Sequence, residues 1–94
     1  MNDGAGKPVG WSEQLKSLGL YNYLQYAARS FHVQTEILGT DKLKITTVIL
    51  EEGAVVATIE QVALQLDIDY LKSRIALQHA RALDEVREGQ YCMD

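Results

Sequence analysis

The residues able to do chemistry in this chain are few. There are two histidines, His32 and His79, and one cysteine, Cys92. A metal site needs several His, Cys or carboxylate groups at workable spacing. His32 and Glu36 stand four apart, which on a strand is roughly 13 Å, too far to share one ion. No metal or other cofactor is therefore expected. Nucleophilic catalysis needs an activated Ser, Thr or Cys beside a base. No Gly-x-Ser-x-Gly elbow occurs, and Cys92 lies close to the end of the chain, where a thiol reads as a bystander. Gly4-Ala5-Gly6-Lys7 has the flavour of a phosphate loop, but Pro8 stands where Ser or Thr should follow the lysine. The carboxylate pairs Glu51/Glu52 and Asp67/Asp69 fall at a hairpin tip and a helix entry, so solvated and capping roles account for them. The chain reads as non-enzymatic.

One row of polar side chains stands out. His32, Gln34 and Glu36 alternate with Phe31, Val33, Thr35 and Ile37. Period two puts the polar three on one side of a strand and the apolar set on the other. The candidate binding residues are thus His32, Gln34 and Glu36, a contact patch beside Thr46 or Thr47 of the next strand.

Several elements must position that row. Residues 43–50 are apolar and β-branched almost throughout, as for a central strand. Gly39-Thr40-Asp41-Lys42 separates them from 31–38 as a turn cluster. Glu51-Glu52-Gly53 supplies the glycine of a hairpin, and residues 54–62 return as a further strand. Residues 20–26, with three tyrosines, read as a strand, and 27–30 as a loop. Ahead of them, Ser12 is placed to cap a short helix ending at Leu18, with Trp11 just before it and Gly19 as its left-handed stop. Residues 1–10 read as a disordered tail and 11–94 as one domain.

The last element is a helix over about 70–88, capped by Asp67 or Asp69 and ended by Gly89. Leu71, Ile75, His79, Ala82 and Val86 share one stripe, flanked by Ala76 and Leu83. His79 is thereby expected to be a buried, hydrogen-bonded core histidine. Tyr70 and Leu77 fall on the side away from the stripe, which makes them the candidate dimer contacts. The predicted fold is α+β: an antiparallel meander of three or four strands, covered by the C-terminal helix, with a short N-terminal helix.

Bulk properties narrow the function. Nine Lys and Arg against 13 Asp and Glu give a net charge of −4, which repels a phosphate backbone; nucleic acid is not an expected partner. Apolar runs such as Val48-Ile49-Leu50 are far below the roughly 20 residues of a membrane span. One unpaired cysteine and no signal segment point to the cytoplasm. A chain this short buries only about 60–65% of its unfolded surface, so a second copy is the natural source of further burial.

At Phe31-His32-Val33-Gln34-Thr35-Glu36 the sequence resembles a group of small uncharacterised bacterial proteins. They carry a similar strand, then a glycine hairpin, here at Gly53, and a helical Gln-His pair, here Gln78-His79. The likeness covers about residues 21–91. Ile37 departs from it, since an acidic residue often follows the glutamate in that group. The resemblance implies a fold and no chemistry. By elimination the expected function is a protein-binding adaptor or regulatory module acting as a homodimer. Its rivals are a secretion-type chaperone for an extended client, and a small-molecule sensor or enzyme built on His32, Glu36 or His79.

Overall fold

A computed structural model describes residues 10–39 and 42–92. The chain runs α1 (Trp11–Ser17), β1 (Leu20–Tyr26), β2 (Arg29–Leu38), β3 (Lys44–Glu51), β4 (Ala54–Val62) and α2 (Ile68–Arg87). The strands form one antiparallel meander in the order β1-β2-β3-β4, and α2 packs across one face of it. The α+β architecture read from the sequence is the observed one. The phosphate-loop fragment and residues 1–9 of the expected tail lie outside the described residues, as do Thr40 and Asp41.

Alternation on β2 decides which face is which. Phe31, Val33 and Thr35 point beneath α2 and are buried, while His32, Gln34 and Glu36 point to the other side. Register carries this across the sheet: Val33 pairs with Ile49 and Thr35 with Thr47, and Thr47 pairs with Ile59. The inner face then meets the helix stripe of Leu71, Ile75, His79, Ala82 and Val86, all buried as expected. Ala76, expected at the flank of that stripe, is exposed, whereas Gln78 is buried. Two apolar clusters result. One gathers Phe31, Val33, Ile49, Ala82 and Val86. The other joins Leu43 and Leu71 to Leu15 and Leu18 of α1.

The turns show where local chemistry decides. Glu52 and Gly53 have φ of 52° and 87°, the left-handed pair of a two-residue hairpin. The β1–β2 turn is the same type, built from Ala27 and Ala28 at φ 53° and 66°, and β2 begins at Arg29, inside the expected loop. Alanine carries no turn signal and fits this region poorly, so the sequence conceals the tightness of that turn. Asp67 caps α2, its carboxylate accepting from the Tyr70 N–H at 3.0 Å, and Gly89 leaves the helix at φ 78°.

The N-terminal cap differs from expectation. Gly10, not Ser12, is the N-cap of α1, and Ser12 lies within the first turn. Glycine adopts φ 76° there without a steric penalty, which starts the helix two residues earlier. Trp11 is consequently in the helix rather than ahead of it. Gly19 is not left-handed: Leu18 caps the helix in the right-handed region. A Cβ on Gly19 would lie 3.4 Å from the Thr35 carbonyl and 3.6 Å from that of Lys16, both ordinary contacts.

Candidate functional site

The sheet has a covered face and an open one, and both carry polar groups. Beneath α2 runs a continuous chain of hydrogen bonds. Gln78 Nε2 donates to Thr47 Oγ1 at 2.9 Å and also reaches the Ile45 and Ile59 carbonyls at 3.1 and 3.2 Å. Thr47 Oγ1 lies 2.7 Å from Thr35 Oγ1, which lies 2.8 Å from His79 Nδ1. His79 Nε2 ends the chain at Asn22 Oδ1, 2.8 Å away. The Asn22 atom is a carbonyl oxygen, so Nε2 carries the proton and Nδ1 accepts. One direction then satisfies every member: Gln78 donates to Thr47, Thr47 to Thr35, Thr35 to His79, and His79 to Asn22.

A second proton on His79 would reverse the Thr35 link and leave Thr47 without that acceptor. Burial already pushes the His79 imidazole below its usual pKa. The network separates the two apolar clusters, because Thr35 sits on β2 between Val33 and Ile37. Gln78, Thr47, Thr35 and His79 are buried, and the chain reaches the surface at the exposed Asn22, an arrangement that suits a structural element.

The open face holds the predicted row. His32 is flanked by Tyr21 and Tyr23 of β1, with ring centroids 5.8 and 5.2 Å away. The Tyr21 hydroxyl bonds His32 Nδ1. Both tyrosines are more than half exposed, at 56% and 52%. Tyr23 is further held by Ser30 and Gln25, each at 3.1 Å. Gln34 and Glu36 continue the row and border a concavity of about 390 Å³ that Tyr21 and Lys16 also line. On β3, Thr46 lies opposite Glu36, Val48 opposite Gln34 and Leu50 opposite His32. Thr46, rather than Thr47, is therefore the threonine of this face. Its hydroxyl is buried without a hydrogen-bond partner among the described residues.

His32 and Glu36 lie on one side of the sheet and His79 on the other, so the structure does not bring His79 together with either of them. Among the described residues no group of three or more His, Cys, Asp or Glu is placed to hold a metal ion. No helix among them is long and apolar enough to cross a membrane. Cys92 is half-buried, its Sγ 4.0 Å from the Tyr26 carbonyl.

Tyr70 and Leu77, paired in the sequence reading, separate in the fold. Leu77 is 46% exposed on a groove between α2 and β4. Tyr70 is not left exposed: it is half-buried against the Leu43–Leu71 cluster, and its hydroxyl accepts from the Leu64 N–H at 3.3 Å. The segment 63–67 folds back over the start of α2 and takes up that ring, which a helical wheel alone does not contain. The partners of His79, namely Asn22, Thr35, Thr47 and Gln78, were also missed as a set. Strand alternation signals that the threonines point inward, but nothing local signals what they bond.

No family model, curated protein or solved structure matches this chain.

Proposed function

We propose that this protein is a small non-enzymatic adaptor or regulatory module of the cytoplasm that binds another protein through the open face of its sheet and acts as a homodimer. The observation that carries the reading is the Tyr21–His32–Tyr23 cluster. Two large aromatic rings stand on a rigid sheet, more than half exposed, with their hydroxyls held in place. Tyrosine gives much contact area for little entropy loss, and such rings dominate protein interfaces. Val48 and Leu50 add a partly apolar floor, while Gln34 and Glu36 add polar specificity.

Affinity capture with the wild-type chain and with Tyr23→Ala tests it. Truncating a central interface aromatic typically costs 2 kcal/mol or more, roughly thirtyfold in affinity. A specific partner should be recovered by the wild type and lost by the variant, with far-UV circular dichroism unchanged. Equal recovery by both would reject the open face as the contact surface.

A further inference from the structure

The geometry points to β4 as the seam of a two-fold homodimer, in which the β4 strands of two copies pair antiparallel and join the two sheets into one of eight strands. The inference rests on the homodimer part of the reading above and names its surface.

Coverage is the first observation. A helix is about 10 Å across and strands are about 4.8 Å apart, so one helix cannot roof four strands. The backbone of α2 lies over β1, β2 and β3, and β4 is reached by the side chains of Arg74 and Gln78. A groove of about 460 Å³ is left between α2 and β4. β1, the other edge strand, does lie in contact with α2, and its Asn22 bonds His79. Ten large apolar side chains are exposed among the described residues. Six of them, Val55, Val56, Val62, Leu64, Leu66 and Leu77, lie on β4, just after it, or on the groove wall.

The edge itself is competent to pair. The Ala63 N–H donates to the Leu43 carbonyl at 2.8 Å, and antiparallel alternation then turns the N–H groups of Thr58, Glu60 and Val62 to the free edge. β4 has no proline or lysine to block addition of a strand, and its one charge, Glu60, is 4.0 Å from Lys44. A register centred on Thr58 or Ile59 keeps Glu60 away from its own symmetry mate.

Charge selects a second copy as the occupant. The α2 wall of the groove is basic toward one end, with Arg74 and Arg81, and acidic toward the other, with Asp84, Glu85 and Glu88. Arg74 sits beside Gln61 and Gln78 beside Ile59, so α2 runs antiparallel to β4. A two-fold axis at the middle of β4 therefore sets the basic end of each wall across from the acidic end of the other. Arg74 Nε, buried with no partner among the described residues, stands at the basic end. The same pairing leaves both open faces free, side by side on one platform.

Sedimentation equilibrium and amide hydrogen exchange on the full chain test this together. The wild type should reach twice the 10.5 kDa chain mass as concentration rises. The amide protons of Thr58, Glu60 and Val62 should slow in step with it. Thr58→Pro removes an outward N–H and leaves the β3 ladder intact, so it should stay monomeric with native circular dichroism. If that variant fails to fold, the wild-type exchange data decide alone. A dimer in which those three amides still exchange freely, or one that persists in folded Thr58→Pro, overturns the β4 seam and leaves the homodimer standing. A wild type of monomer mass at every concentration overturns both. A fall in exchange that appears only on adding an acidic peptide, without self-association, would assign the groove to a foreign partner and also reject the seam.

Discussion

The two histidines occupy opposite faces of one sheet and live under opposite rules. His79 is 4% exposed and has both ring nitrogens engaged, by Thr35 on one side and Asn22 on the other. His32 is half-buried between two exposed tyrosines, with Nδ1 engaged and Nε2 without a partner among the described residues. The same residue type is a specifying core group in one place and a contact group in the other. The difference lies in α2. Where the helix covers the sheet, the buried amide, hydroxyls and imidazole bond one another, because an unpaired buried group costs about 1–3 kcal/mol. Where no helix covers it, side chains keep hydrogen-bonding capacity for a partner.

The largest expected effect tests the covered side. Ile75 is 1% exposed on the buried stripe, so Ile75→Ala should cost about 2–5 kcal/mol, a large part of a small domain's stability. Chemical denaturation measures it, and a midpoint unchanged within error would show that the helix presents another face to the sheet.

Acid should separate the two histidines next. The His79 imidazole titrates below 6.5 in the folded protein, while the unfolded chain titrates near that value. The unfolded state therefore binds the proton more readily below pH 6.5, and folding stability contributed by neutral His79 is complete above it. That contribution is lost as pH falls from 6.5 through the folded value. Melting curves between about pH 8 and pH 5 should show the loss in the wild type and in His32→Ala, and a weaker loss in His79→Gln. An acid response that follows His32 instead would invert the assignment of the two faces.

The smallest effect concerns the turn that joins β1 to β2 and so fixes the tyrosines against His32. Ala28 holds φ 66°, a conformation that costs an L-residue about 1–2 kcal/mol and glycine almost nothing. Ala28→Gly should be neutral to stabilising by up to about 1 kcal/mol once the entropy of the unfolded glycine is counted. A clear loss of stability would mean the methyl group packs in a way that this geometry does not require.

The sequence made the sheet and the long helix legible because their periods are clean: two over Phe31–Leu38, and 3.6 over Leu71–Val86. Gly53 and Gly89 marked real left-handed positions. It was weakest where one residue type admits two solutions. Ser12 looked like a cap, yet Gly10 starts the helix earlier; Ala27 and Ala28 carry no mark of a tight turn. Of the site, alternation revealed the row His32, Gln34 and Glu36, but not the flanking tyrosines, since cross-strand register sets the pairs Tyr23–His32 and Tyr21–Gln34. Gln78 stayed hidden because burial of an amide becomes affordable only with acceptors from two other strands, Ile45 and Ile59.

The division of labour between the faces is tested most directly by urea denaturation of His32→Ala and His79→Ala side by side. His79→Ala leaves the buried Thr35 hydroxyl short of a partner and should lose about 1–3 kcal/mol or more. His32→Ala removes a surface group and should stay within about 0.5 kcal/mol of the wild type. Equal losses in the two variants, or a larger one at His32, would contradict the account.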